Sequence, residues 1–211
     1  YYDEPYADSS MIPTYLVCTV ARQHVTVALS GTGGDELFAG YPRYREFGIL
    51  RNLNHLAGPV RKILDCSVGA VNRIMKSDKL NKLRLFLQQP LQDYQLYPML
   101  LSYMFRTKDE ASRPDDAWFE QFKLWFKYPC RLNNLLNMDI QHYLPDDLLV
   151  KTDRASMACG LELRAPFLDA DVVNLGLGLP VEMKVGRRCG KMILREAFAD
   201  MLPSETLRGR K

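Results

Sequence analysis

The chain divides into one short strand-like apolar run and long stretches of helical periodicity. The run is Val25 to Leu29, too short for a core helix and followed by glycine, which predicts a buried parallel strand. Ahead of it, Met11, Ile12, Tyr15, Leu16 and Val20 recur at helical spacing. Ser9 or Ser10 can cap that helix, Pro13 is tolerated in its first turn, and it should run to about Gln23. A helix followed by a strand is half of an α/β unit. One strand is not a sheet, so its partners are expected upstream of residue 1.

From Arg43 to Gln141 the pattern is helical throughout. Val60, Ile63, Leu64, Val68, Val71, Ile74 and Met75 form one stripe. A second is Leu96, Tyr97, Leu100, Leu101, Met104 and Phe105, and a third is Trp118, Phe119, Phe122, Trp125 and Phe126. All three are expected to be core. Leu144-Pro145 predicts a break, after which Asp146 or Asp147 can cap a helix ending near Gly160, a suitable glycine for the position just past a helix end. Residues 161–168 should be extended, since Pro166 does not suit a helix interior. Asp169 is expected to cap a helix stopped by Pro180, and Gly190 to Leu202 to form an amphipathic helix stopped by Pro203.

The candidate chemistry sits directly after the strand, in SGTGGDELFAGY over 30–41. Three glycines in Ser30–Gly34 let the backbone turn sharply and approach a ligand closely. Asp35 and Glu36 follow where a helix should start, with Leu37, Phe38 and Tyr41 as its apolar face. Strand, glycine loop and helix start with a carboxylate at the junction suit a nucleotide-phosphate and magnesium site, although unliganded turns of this type are common. The loop has neither the Lys-Ser/Thr ending of a Walker A loop nor G-x-G-x-x-G spacing, so neither fold is indicated. For Asp35 the simpler alternative is a helix N-cap, and Glu36 is expected to support the loop or pair with a base.

Composition narrows the class without choosing a function. The 211 residues are 47% hydrophobic and 25% charged, ordinary for a globular protein, and a net charge of +3 does not argue for nucleic acid. Basic residues do outnumber acidic ones between Arg61 and Arg84, a pattern read as a solvated helix face, with nucleic-acid or subunit contact as the minority alternative. Five scattered cysteines without a CxxC pair suggest reduced thiols in a cytoplasm. No apolar run approaches the roughly 20 residues a membrane span needs. The chain has no initiating Met and reads as an excised or truncated piece of a longer protein.

Three ordered motifs carry a family resemblance. SGTGGDELFAGYPRY over 30–44 is similar to the second nucleotide-site motif of the glutamine-dependent asparagine synthetases. LPDDLLVKTDRASM over 144–157, continuing to ELRAPFLD over 162–169, matches the same family. So does GKMILREAF over 190–198, followed by Leu202-Pro203. The resemblance covers nearly the whole chain, most weakly between about 48 and 130. It implies a pyrophosphatase-type (adenine nucleotide alpha hydrolase-like) α/β domain, this stretch being mostly helical with remnants of a parallel sheet. Residues 1–211 correspond to the C-terminal part of the synthetase domain. The N-terminal glutaminase domain and the first phosphate loop, a Ser-Gly-Gly-x-Asp-Ser motif, do not occur in this sequence.

The implied reaction activates aspartate with ATP as an acyl-adenylate, which glutamine-derived ammonia converts to asparagine. By resemblance, Ser30, Gly31, Thr32 and Gly33 touch ATP, Asp35 holds Mg²⁺ with the Asp of the first loop, and Lys191 is catalytic near the α-phosphate. Thr32 departs from the family, which often carries an acid there, so either another carboxylate does that work or the acyl substrate differs. Arg195 is a second phosphate contact or an ion-pair partner. Lys151, Asp153, Arg154, Glu162 and Arg164 are expected as a buried ion-pair lattice, and Asp8, Ser9 and Ser10 near the acyl-acceptor pocket by analogy. The three histidines have no partner at a telling spacing. The partners implied are small molecules, without nucleic acid or membrane, and a homodimer is left open. Two rivals are a relative that amidates another carboxylate and a non-catalytic helical module binding through the basic 61–84 face. A third is a degenerate synthetase that binds nucleotide without turnover.

Overall fold

The computed structural model describes residues 2, 5–88, 91–101, 116–186 and 189–208. In chain order the elements are α1 (Met11–Arg22), β1 (Val27–Leu29), α2 (Gly34–Leu37), α3 (Arg43–Asn54), α4 (Gly58–Met75), α5 (Asp78–Gln88), α6 (Asp93–Leu101), α7 (Asp116–Lys123) and α8 (Arg131–Met138). A π-helical stretch, Asp139–Leu149, then leads into α9 (Val150–Ala158), β2 (Glu162–Arg164), a 3-10 turn (Pro166–Leu168), α10 (Ala170–Gly178), α11 (Val181–Lys184), α12 (Met192–Ala197) and α13 (Ser204–Arg208). The described residues form two compact units, Tyr1–Tyr41 with Leu136–Lys211, and Pro42–Leu135.

In the first unit β1 and β2 pair in parallel, Val27 opposite Glu162 and Leu29 opposite Arg164. The ladder continues at both ends, from Glu162 N–H to the Thr26 carbonyl at 3.0 Å and from Ser30 N–H to the Arg164 carbonyl at 2.7 Å. The parallel geometry is as expected, but this partner lies downstream in the same chain rather than upstream of it. The expected burial is corrected too: Val27 and Leu29 are exposed, Leu29 by 75%. Two strands cannot cover both faces of each other, and the periodicity of a strand specifies which side is apolar, not what covers it. The same holds for α1, where Cys18 is buried while Ile12, Leu16 and Val20 face outward.

The expected break at Leu144-Pro145 does not occur. Pro145 sits inside the π-helical stretch and α9 follows without interruption. Proline cannot donate the usual helical bond, and a wider turn accommodates its ring without ending the helix. The helix does end as expected, with Gly160 in the left-handed region at φ +69°. Asp169 caps α10 by accepting from Asp171 N–H at 3.0 Å. Residues 166–168 form a 3-10 turn rather than continuing extended, and the final amphipathic helix is confined to Met192–Ala197, leaving Met201 and Leu202 exposed.

The second unit is helical, as the periodicity predicts for its described residues. Its core is aromatic: Tyr44 stacks on Tyr97 at 6.2 Å between ring centres, Phe47 meets Tyr97 edge-on, and Leu96, Phe86 and Phe119 are buried around them. The α4 stripe is not core. Val60, Ile63, Val71, Ile74 and Met75 are exposed, Ile74 by 85%, because α4 turns Gly69 and Asn72 inward instead. Asn72 bonds Asn81 and accepts from Ser77 N–H, closing the α4–α5 corner with polar groups that a hydrophobic count ignores. Of the basic residues over 61–84, Arg84 is paired with Asp65 at 2.8 Å and Arg61 donates to the Leu87 carbonyl. Met104 and Phe105 lie outside the described residues.

Candidate active site

The site grows from the carboxyl end of β1, where open parallel sheets place their ligands. Ser30 leaves the strand and its hydroxyl meets that of Thr32 at 2.6 Å, while Thr32 N–H donates to Ser30 Oγ at 3.2 Å. These bonds close the loop on itself without charge. Gly33 then takes φ +93°, and a Cβ there would lie 2.4 Å from Leu168 Cδ2. Only glycine satisfies both conditions. Gly31 is the opposite case. It is exposed, and a Cβ there would meet nothing within 4 Å, so the loop offers open space at that backbone.

Three segments far apart in sequence meet behind this loop. Phe167, on the turn after β2, covers Gly34 and packs edge-on against Phe38 at 5.9 Å. Lys191 N–H donates to the Phe38 carbonyl at 2.9 Å, and Gly190 passes so close to Ala39 that a Cβ would lie 1.9 Å from its carbonyl oxygen. The Lys191 ammonium reaches Asp35 Oδ1 at 3.1 Å, with both side chains largely shielded. Gly40 lines the other side of that pair. Ala39 and Lys191 hold left-handed backbones, φ +54° and +57°, that side chains disfavour. Such strain, about 1–3 kcal/mol per residue, concentrates where geometry serves a function.

Asp35 is therefore not the N-cap, a position taken by Gly33; it is the second residue of α2 and pairs with Lys191. Glu36 is 1% exposed and accepts from the Tyr41 hydroxyl, a neutral donor, so of the two expected roles this bond suits support of the loop rather than pairing with a base. Arg195 Nε donates to the Gly190 carbonyl at 3.1 Å and its guanidinium also reaches the Leu207 carbonyl, so it braces the Lys191 turn. The expected ion-pair lattice is not buried. Asp153 and Arg154 are exposed, and Glu162 and Arg164 pair with each other on the surface at 2.8 Å. Side chains on a two-residue repeat of one strand point the same way, here to solvent.

Lys151 instead bonds Asp8 Oδ2 at 2.6 Å and Ser10 Oγ at 2.8 Å, tying the start of α1 to α9. Burial works against the Asp8 charge, but the bonds from Lys151 and Ser10 outweigh it and hold the carboxyl below the usual range. Tyr6 donates to Asp147, and burial with that carboxylate pushes its phenol well above the ordinary value. His142 does have an acid at helical spacing, Asp146 at 3.9 Å, a pair obscured in the sequence by the expected break at Pro145. The Asp8–Lys151 bridge spans 143 positions and has no local signal.

Mg²⁺ takes one or two carboxylates and completes its shell with water and phosphate oxygens. At the loop Asp35 offers a carboxylate, its Oδ1 held by the Lys191 ammonium, and no group of three potential metal ligands occurs among the described residues. Among the described residues no helix is long and apolar enough to cross a membrane. All five cysteines are free thiols.

The family model of asparagine synthase matches residues 1–211. This chain belongs to the asparagine synthase family. Among relatives in that family, asparagine synthetase (glutamine-hydrolyzing) 1 of Bacillus subtilis is 32% identical over 216 residues, which cover 100% of this chain and 34% of that protein. A Mycobacterium tuberculosis protein provisionally named asparagine synthetase (glutamine-hydrolyzing) is 33% identical over 213 residues, covering 98% of this chain and 32% of its own length. The Mesocricetus auratus asparagine synthetase (glutamine-hydrolyzing) is 45% identical over 62 residues, 28% of this chain and 11% of that protein. This chain thus spans about a third of the length of the bacterial synthetases it matches. No solved structure matches it.

Proposed function

We propose that this chain forms the C-terminal part of a synthetase domain that amidates aspartate to asparagine at the expense of ATP. The observation that carries this reading is the Lys191–Asp35 pair beneath the strand-end loop, which joins the first and third motifs of the family at 3.1 Å. Aspartate's carboxylate attacks the α-phosphorus, pyrophosphate leaves, and ammonia released from glutamine then displaces AMP from the acyl carbon. Lys191 stabilises the negative charge that builds on the α-phosphate in both steps, where a fixed ammonium in a shielded site acts strongly. Asp35 orients that ammonium beforehand and is the residue that would hold Mg²⁺, whose charge would offset that of the phosphates. The loop from Ser30 to Gly33 presents backbone and hydroxyl groups to the nucleotide, with Gly31 as the point of closest approach. The first phosphate loop and the glutaminase domain belong to other parts of the same enzyme, so this stretch alone does not turn over.

The test is AMP release by the protein carrying these residues, supplied with ATP, Mg²⁺ and ammonia, with and without aspartate. Aspartate-dependent AMP is expected, and Lys191→Ala should lower it by orders of magnitude while glutamine hydrolysis survives. Wild-type AMP release by that variant would sink the role of Lys191. A second reading draws on Thr32, whose hydroxyl is bonded to Ser30 and supplies no acid at the loop. Under it the enzyme amidates a different carboxylate, and AMP release would ignore aspartate while responding to that acid.

A further inference from the structure

Where α1 packs along α9, each segment brings one free thiol to the same place. We propose that Cys18 and Cys159 form a reversible intramolecular disulfide, with a small disulfide such as oxidised glutathione as the oxidant. Cys159 caps the end of α9, and its Sγ lies 3.2 Å from Thr19 Oγ1 and 3.8 Å from the Tyr15 carbonyl oxygen. Those two groups are themselves joined, Thr19 Oγ1 donating to that carbonyl at 2.9 Å. Residues three and four apart share a helix face, so the Cys159 sulfur touches the turn of α1 from which the Cys18 side chain projects. Cys18 is 3% exposed and turns inward there. Burial, and after it the Cys159 thiol, push the Cys18 thiol above its ordinary range, which puts the two sulfurs within electrostatic reach of each other.

The approach continues one turn along α1. A Cβ on Gly160 would lie 3.7 Å from Arg22 Nε, so the chain leaving α9 stays against α1 beyond Cys159. The two thiols divide the chemistry between them. Cys159 is partly exposed and is the one an oxidant meets first. Its thiolate attacks one sulfur of oxidised glutathione, and one glutathione leaves. Cys18 then loses its proton, its sulfur attacks Cys159 Sγ, and the second glutathione leaves. Two protein thiols are thereby oxidised to one disulfide while one glutathione disulfide is reduced to two thiols. Cys66 and Cys130 belong to the other unit, and Cys189 Sγ sits against Met192 Sδ at 3.3 Å. Because α1 and α9 hand the chain on to β1 and β2, the bond fastens the strand pair at the end opposite the Ser30 loop.

The test equilibrates the full protein in glutathione buffers running from fully reduced to fully oxidised, quenches with acid, alkylates the free thiols and maps linked peptides by mass spectrometry. A link between the Cys18 and Cys159 peptides is expected in most molecules under oxidised glutathione alone, and reduced glutathione should reverse it. Cys159→Ser and Cys18→Ala should each abolish the link, while Cys66→Ser should leave it intact. The bond closes a long loop and chiefly restricts the unfolded chain, so the linked protein should melt several degrees higher than the reduced one. Four results would each overturn the proposal. They are free thiols at both positions under oxidised glutathione, a lasting mixed disulfide at Cys159, a link from either residue to a different cysteine, and a melting temperature that falls when the bond forms. The last would mean that the helices must move apart from their packed geometry to accept it.

Discussion

Gly40→Ala tests the Lys191–Asp35 pair without touching either charge. A Cβ at position 40 would lie 1.8 Å from Asp35 Oδ1 and 2.5 Å from Lys191 Cε. To restore ordinary contact the carboxylate must retreat by about 1.6 Å, with the lysine stem displaced as well. Stretching the pair from 3.1 Å to as much as about 4.7 Å loses about 2 kcal/mol at an effective dielectric near 20. Overpacking a close-packed site costs a further ~1–3 kcal/mol. A chain of this size loses roughly 2–4 °C of melting temperature per kcal/mol, so a fall of several degrees is expected. The effect on chemistry should be larger than the effect on folding. Displacing a catalytic group by about 1 Å can cost on the order of a hundredfold in rate. Differential scanning fluorimetry and AMP release, measured on the same preparation of the full protein at a temperature where the variant is folded, separate the two. A variant that melts and adenylates like wild type would show that the pair is not held as described, and the argument built on it would fail.

Gly31→Ala should behave oppositely. Nothing lies within 4 Å of the added Cβ and the backbone is not left-handed, so stability should change by less than about 0.5 kcal/mol. ATP affinity should fall about tenfold if the nucleotide lies against this backbone. Unchanged affinity by calorimetry would remove Gly31 from the site. Asp8 gives a pH prediction. Its pKa is lowered in the folded state, so its contribution is present above the unfolded value near 3.9 and disappears as pH falls through the lower folded value. Urea midpoints between pH 3 and 7 should show this acid-side loss in the wild type and less of it in Asp8→Asn. Parallel curves for the two proteins would mean that the Lys151 bridge contributes nothing.

Local chemistry alone made much of this protein legible. A run too short for a helix and followed by glycines had to leave its strand sharply, and β1 does so at Ser30. Gly160 ends α9 and Asp169 starts α10 because a left-handed backbone and a capping carboxylate act within a few residues of themselves. The helical character of the described residues over 43–141 was equally local, and the three motifs named the loop, Asp35 and Lys191. What those positions do to one another was not local. The 3.1 Å pair of Asp35 and Lys191 and the parallel pairing of β1 with β2 depend on where the chain returns after more than a hundred residues. So does the 143-residue bridge from Asp8 to Lys151. The stripe on α4 shows the same limit from the other side: periodicity placed Ile63, Val71 and Ile74 on one face, and packing turned the face carrying Gly69 and Asn72 inward. Hydrophobic spacing fixes a direction around a helix or strand, whereas burial is decided by which neighbour arrives to cover it.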